Sequence, residues 1–119
     1  MANILAFDTS TAACSVALSL DGDIQQRFEL APRRHGALLL SMMDSLLKTA
    51  ALSLNECDAI AMGHGPGSFM GLRIAAGVAQ GLAFGAQLPV ISVSSLQALA
   101  QAAYWSTPAD TILAGWDAR

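Results

Sequence analysis

Two short runs in this sequence carry residue types that could do chemistry. Asp8-Thr9-Ser10-Thr11 sets an acid ahead of a row of hydroxyl side chains. Such a row can hold a metal-bound water and turn backbone amides toward a phosphate. The same residues also read as a turn capped by its own Asp, Ser and Thr side chains. Gly65-Pro66-Gly67-Ser68 stands just ahead of a helical stretch. Its glycines permit positive φ and leave N–H groups exposed, and the helix start beyond favours an anion. No Lys-Ser/Thr pair follows, so it is not a Walker A loop, and it lacks the GxGxxG spacing. A tight strand-to-helix turn that brings the helix close is the other reading.

Other chemistries find less. Four residues after His35 stands Leu39, and the only other histidine is His64. No i, i+4 imidazole pair exists, and no metal site is expected. Ser10, Ser15 and Ser68 lack a neighbouring histidine and acid, and GxSxG is absent, so no nucleophilic apparatus is expected. Cys14 and Cys57 fit no CxxC spacing and read as small buried hydrophobes.

The elements that must position these residues follow from pattern. Asn3 to Asp8 is a short apolar run ending on the acid. Cys14 to Leu20 alternates, Asp21-Gly22 is a two-residue hairpin signal, and Asp23 to Leu30 returns. A helix is expected from about His35 to Leu52, with apolar residues spread over about 220° of its circumference. One sheet face needs only about 100°, so this helix is expected to have a second apolar neighbour. Asp58 to Gly63 reads as a strand and Phe69 to Gly85 as a second helix, whose polar side is only Arg73 and Gln80. Its glycines each cost about 1 kcal/mol relative to Ala, and close approach to another helix or to backbone is the physical explanation. Pro89 to Val93 is a short strand, and Ser94 or Ser95 caps a third helix through about Tyr104. Ala109 to Trp116 reads as a last apolar strand. The order βββαβαβα implies an α/β fold: a mixed sheet, with a three-strand antiparallel meander and parallel crossovers, and helices on both faces.

At 119 residues the chain has room for one domain. Hydrophobic residues are 54% and charged residues 13%, which excludes intrinsic disorder. So few charges cannot easily cover a small domain, so some apolar surface is expected to meet a partner. The net charge is −3, with no basic run, so a direct nucleic-acid footprint is not expected. No apolar stretch is long enough for a transmembrane helix, and no signal-peptide pattern opens the chain. The expected compartment is the cytoplasm.

The run Gly63-His64-Gly65-Pro66-Gly67-Ser68-Phe69-Met70-Gly71-Leu72-Arg73 is the most specific motif. With Phe7-Asp8-Thr9-Ser10, Cys14-Ser15-Val16-Ala17-Leu18, His35 and Asp117-Ala118-Arg119, it resembles the bacterial TsaB (YeaZ) family of tRNA threonylcarbamoyladenosine biosynthesis proteins. The resemblance covers the whole chain. Met70 stands where a small hydroxyl residue is commoner in that family, and His64 where Arg is frequent. The resemblance implies an actin-like ATPase/RNase H-like lobe over residues 1–109, with residues 110–119 starting a strand that leads to a second lobe.

It also implies a noncatalytic scaffold. That scaffold pairs with a TsaD-type catalytic subunit and a TsaE-type ATPase in transferring threonylcarbamoyl to the adenosine beside the tRNA anticodon. Alone, it would form a homodimer through the same helical surface. Leu39, Met42, Met43 and Leu46 on the first helix, with Ile74, Gly77, Val78 and Gly81 on the second, are the expected interface. Asp8, Thr9, Ser10, Gly65, Gly67 and Ser68 are the candidate anion loop. The rival readings are a nucleotide-binding ATPase or kinase lobe, its nucleotide held at the cleft of the full-length protein, and a glycoprotease-like peptidase. No cofactor is expected in the scaffold reading.

Overall fold

The computed structural model describes residues 2–11, 13–30 and 35–106. The expected strand at Ala109–Trp116 and the Asp117-Ala118-Arg119 element lie outside the described residues, as does the boundary at residue 110.

Alternation builds the meander. In β1 (Ile4–Asp8) and β2 (Ala13–Leu20), Leu5, Phe7, Cys14, Val16 and Leu18 turn to one face and are buried. The register sets Leu5 opposite Leu18 and Phe7 opposite Val16. Asp21 and Gly22, with φ of 51° and 87°, form the two-residue turn into β3 (Asp23–Leu30). β1 then pairs in parallel with β4 (Ala59–Gly65), and β4 with β5 (Val90–Ser94), giving the order β3-β2-β1-β4-β5. This is the mixed five-stranded sheet that the order of patterns implied. β4 runs two residues past its expected end, and a register shift between Gly63 and Gly65 brings Gly65 opposite Ser94.

α1 (His35–Thr49) packs on β2 and β3, and α2 (Phe69–Ala86) on β4 and β5. α1 ends short of Leu52. Ala51 takes a positive φ of 53°, and the Leu52 N–H donates back to the Leu47 carbonyl, closing the last turn. A short 3-10 turn at Leu54–Glu56 follows, capped by Ser53 and Glu56, which the sequence pattern did not reveal. α3 (Ser95–Ser106) lies against β4 and β5. Ser94 caps it, its Oγ accepting from the N–H groups of Leu96 and Gln97, while the buried Ser95 Oγ has no partner. Among the described residues, no helix is long and apolar enough to cross a membrane.

One cluster joins the inward face of β1, β2 and β4 to α1 and α2. It holds Leu39, Met42, Met43 and Leu46, with Leu39 and Leu46 at 0% exposure. This corrects their expected place at a partner surface: they occupy the sheet-facing stripe of α1, so the lobe itself covers them. The excess of the apolar arc falls on Leu40, which is half exposed. Cys14 and Cys57 are buried as expected. Burial, reinforced by Glu29 at Cys14 and by Asp58 and Glu56 at Cys57, pushes both thiols up, so they stay protonated.

Candidate functional site

The two chemically suggestive runs are far apart in sequence, yet they fold into one interlocked unit. β1 delivers Asp8 to the end of the sheet. There its Oδ1 accepts from the Ser10 N–H at 2.7 Å and the Ser10 hydroxyl at 2.6 Å. Thr9, fully buried, donates its hydroxyl to the Gly71 carbonyl in the first turn of α2 at 2.6 Å. Ser68 donates its N–H to the Ser10 carbonyl at 2.6 Å, and its side chain accepts from the Gly71 N–H as the N-cap of α2.

The glycines are what allow this approach. A Cβ on Gly71 would collide with the Thr9 carbonyl, one on Gly67 with Ser10, and one on Gly63 with the Asp8 carboxylate. Gly65 has a φ of 108° and precedes Pro66 across a cis peptide bond. Close approach to backbone is therefore the reason for Gly71. At Gly77, Gly81 and Gly85 it is not, for a Cβ there would meet nothing within 4 Å.

This geometry bears on the anion reading. The N–H groups of Ser10, Ser68 and Gly71 are all spent on partners inside the unit. Ser10 and Thr9 are buried, and the Asp8 carboxylate is held by Ser10 rather than turned freely outward. The arrangement serves as a clasp between β1 and α2. Ser68→Ala removes the cap but leaves the backbone link to Ser10, so a loss of about 1 kcal/mol in folding stability is expected in urea unfolding.

Beside the clasp, on the sheet face away from α1 and α2, lies a cavity of about 200 Å³. Asp8, Ser15, Gly63 and Ser94 line it together with Ala6, Ala17 and other small apolar residues. Among the described residues, no group of three His, Cys, Asp or Glu comes together to hold a metal. His64 is exposed.

The second helix behaves differently from the first. Gly77 and Gly81 are exposed, and Ile74 and Val78 are partly buried against the core. The expected interface residues on α2 are thus divided between an open stripe and its inner border. Sequence reasoning missed Phe84, which is 89% exposed, and Met70, which is 62% exposed. A signal was available. Phe84 stands eleven residues after Arg73, so at 100° per residue it returns to within about 20° of that polar position.

Comparison with known proteins adds four findings. The family model described as TsaD, tRNA N6-adenosine threonylcarbamoyltransferase, matches residues 28–119. The tRNA threonylcarbamoyladenosine biosynthesis protein TsaB of Haemophilus influenzae is 53% identical over 98% of this chain, which covers 49% of that protein. The solved structure of YeaZ from Pseudomonas aeruginosa superposes with a TM-score of 0.94 at 51% identity, over 100% of this chain and 56% of that one. T. thermophilus RuvC, at 11% identity and a TM-score of 0.54, shares the fold alone. The chain spans about half the length of the curated relatives it matches. Its mixed sheet with helices on both faces is the actin-like ATPase/RNase H-like architecture.

Proposed function

This chain belongs to the TsaD (tRNA N6-adenosine threonylcarbamoyltransferase) family, and from its likeness to TsaB and YeaZ proteins we propose that it is a noncatalytic scaffold lobe in tRNA threonylcarbamoyladenosine biosynthesis. It works in the cytoplasm, pairs with a TsaD-type catalytic subunit alongside a TsaE-type ATPase, and meets tRNA only through them. In the partner's absence, two copies pair through the same helical surface.

The observation that carries this reading is the outward face of α2. Phe84 stands 89% exposed beside Gly77, Gly81 and Gly85, whose missing side chains leave open space. Each glycine costs the helix up to about 1 kcal/mol relative to Ala, and nothing among the described residues of the lobe fills that space. A second protein packing closely on α2 accounts for both the glycines and the exposed aromatic. Leu40 on α1 and Met70 at the start of α2 add apolar area outside the core. Leu39, Met42, Met43 and Leu46 support the surface from beneath.

The test is the solution mass of the chain alone and mixed with a TsaD-type protein, by light scattering. A dimer that converts to a one-to-one heteromer is the expected result. Phe84→Lys should abolish both the α2-paired dimer and the heteromer without changing the melting temperature of the monomer, since Phe84 makes little contact with the lobe. A heteromer that survives Phe84→Lys, or a chain that ignores the partner, would sink the reading. The nucleotide-binding rival requires loop amides free to face phosphate, and the occupied amides of Ser10, Ser68 and Gly71 count against it. Asp8→Ala separates the two. In the scaffold reading, partner binding persists once folding is confirmed.

A further inference from the structure

β3 is an edge strand, and among the described residues its only ladder partner is β2. The two-residue turn at Asp21-Gly22 makes Leu20 and Asp23 a hydrogen-bonded pair. Alternation then points the backbone N–H and C=O groups of Asp23, Gln25, Arg27 and Glu29 at β2. Those of Ile24, Gln26, Phe28 and Leu30 point outward. The side chains sort the same way. Ile24, Phe28 and Leu30, at 62%, 64% and 72% exposure, lie on the sheet face away from α1. Arg27 lies on the α1 side, its guanidinium 3.4 Å from the Thr49 hydroxyl, and Glu29 shares that side. An open edge of eight residues with exposed apolar side chains and no proline is a template for another strand.

We propose that β3 pairs edge to edge with β3 of a second copy of this chain, antiparallel about a two-fold axis through Phe28, so that two sheets become one. Backbone direction and charge select the register. Outward-pointing groups must meet outward-pointing groups, so the axis passes through a residue and even-numbered residues face even-numbered ones. Centred on Phe28, Arg27 of each copy stands opposite Glu29 of the other, twice. These are non-hydrogen-bonded pairs, where Cα atoms approach to about 4.5 Å and side chains are closest. On the opposite face the two Phe28 rings meet, and Leu30 faces Gln26.

Neighbouring registers are worse. An axis at Gln26 sets Glu29 against Asp23, one at Arg27 sets Arg27 against itself, and one at Glu29 sets Glu29 against itself. An axis at Gln25 does bring Arg27 to Asp23, but it leaves Phe28 and Leu30 outside the overlap. This surface is separate from the α2 face, and the proposal stands whether or not that face binds a partner.

The test is sedimentation equilibrium of the 119-residue chain carrying Phe84→Lys, which removes pairing through α2, and of that same chain with charge substitutions in β3. Arg27→Glu and Glu29→Arg each place like charges together twice, and each should raise the dimer dissociation constant at least about tenfold. The double variant R27E/E29R restores opposite charges and should restore the dimer. An equimolar mixture of the two single variants should form a heterodimer that neither forms alone. Neither side chain is buried, so unchanged thermal melting is expected at concentrations low enough that every variant is monomeric. A Phe84→Lys chain that stays monomeric to about 1 mM overturns the proposal, as does a dimer of that chain whose mass ignores both single substitutions. A dimer broken by Arg27→Glu but indifferent to Glu29→Arg puts the axis at Gln25 and overturns the Phe28 register.

Discussion

Gly71→Ala is expected to lower the stability of the folded chain by about 3 kcal/mol or more. The new methyl group would overlap the Thr9 carbonyl, which is backbone and has no rotamer through which to retreat. Relief requires α2 to move away from the end of β1. That movement also stretches the bond from the Thr9 hydroxyl to the Gly71 carbonyl, worth about 1 kcal/mol on its own. A small domain has about 5–15 kcal/mol in total, so this single methyl removes a large fraction. Two comparisons separate the causes in urea unfolding. Thr9→Val keeps the space and loses the hydrogen bond, and should cost only its share plus the burial of an unpaired carbonyl. Gly63→Ala presses on the Asp8 carboxylate, a side chain, and should cost less than Gly71→Ala. If Gly71→Ala proved neutral, β1 and α2 would not be clasped, and the account of the Gly65–Ser68 loop as a structural device would fail with it.

How much of this was legible in the sequence depends on the range of the forces involved. The meander was readable because alternation and the Asp21-Gly22 turn are local, and the turn has the backbone angles its residues favour. The crossovers followed from chain direction and from the periodicity of α1 and α2. The clasp itself was half legible. Asp8 to Thr11 and Gly65 to Ser68 were each recognisable as special, but nothing local shows that Ser68 donates to Ser10 across the fold.

Helix faces were the least legible, for a stated reason. Periodicity orders residues around a helix but does not say which arc meets the sheet when the apolar arc exceeds half the circumference. On α1 the sheet took Leu39, Met42, Met43 and Leu46, because they line up over Leu18 and Val16 in one cluster. On α2 the glycines carry almost no hydrophobic signal either way, and only the position of Phe84 relative to Arg73 marks the outward side. The end of α1 was missed because Ala51 takes a positive φ that favours glycine.

Leu46→Ala and Gly81→Ala should move stability in opposite directions while both weaken partner binding. Leu46 is fully buried among the core residues of α1 and the sheet. Truncating it leaves a cavity, and an expected loss of about 2–5 kcal/mol follows. Had Leu46 formed the partner surface, the isolated chain would hardly notice the change. Gly81 is exposed, and a Cβ there meets nothing within 4 Å. Alanine should therefore stabilise the isolated chain by about 0.5–1 kcal/mol by relieving the helix of a glycine. Against a TsaD-type partner, the added methyl intrudes where close packing is proposed, and affinity should fall about tenfold, or 1.4 kcal/mol. Leu46→Ala weakens binding by a different route, through loss of the folded population, so its defect should vanish at low temperature where the chain refolds. The Gly81→Ala defect should persist in a chain more stable than wild type. Urea unfolding and titration calorimetry on the same preparations read both quantities. Stabilisation by Gly81→Ala with undiminished affinity would mean that the glycines of α2 are not kept open for a partner.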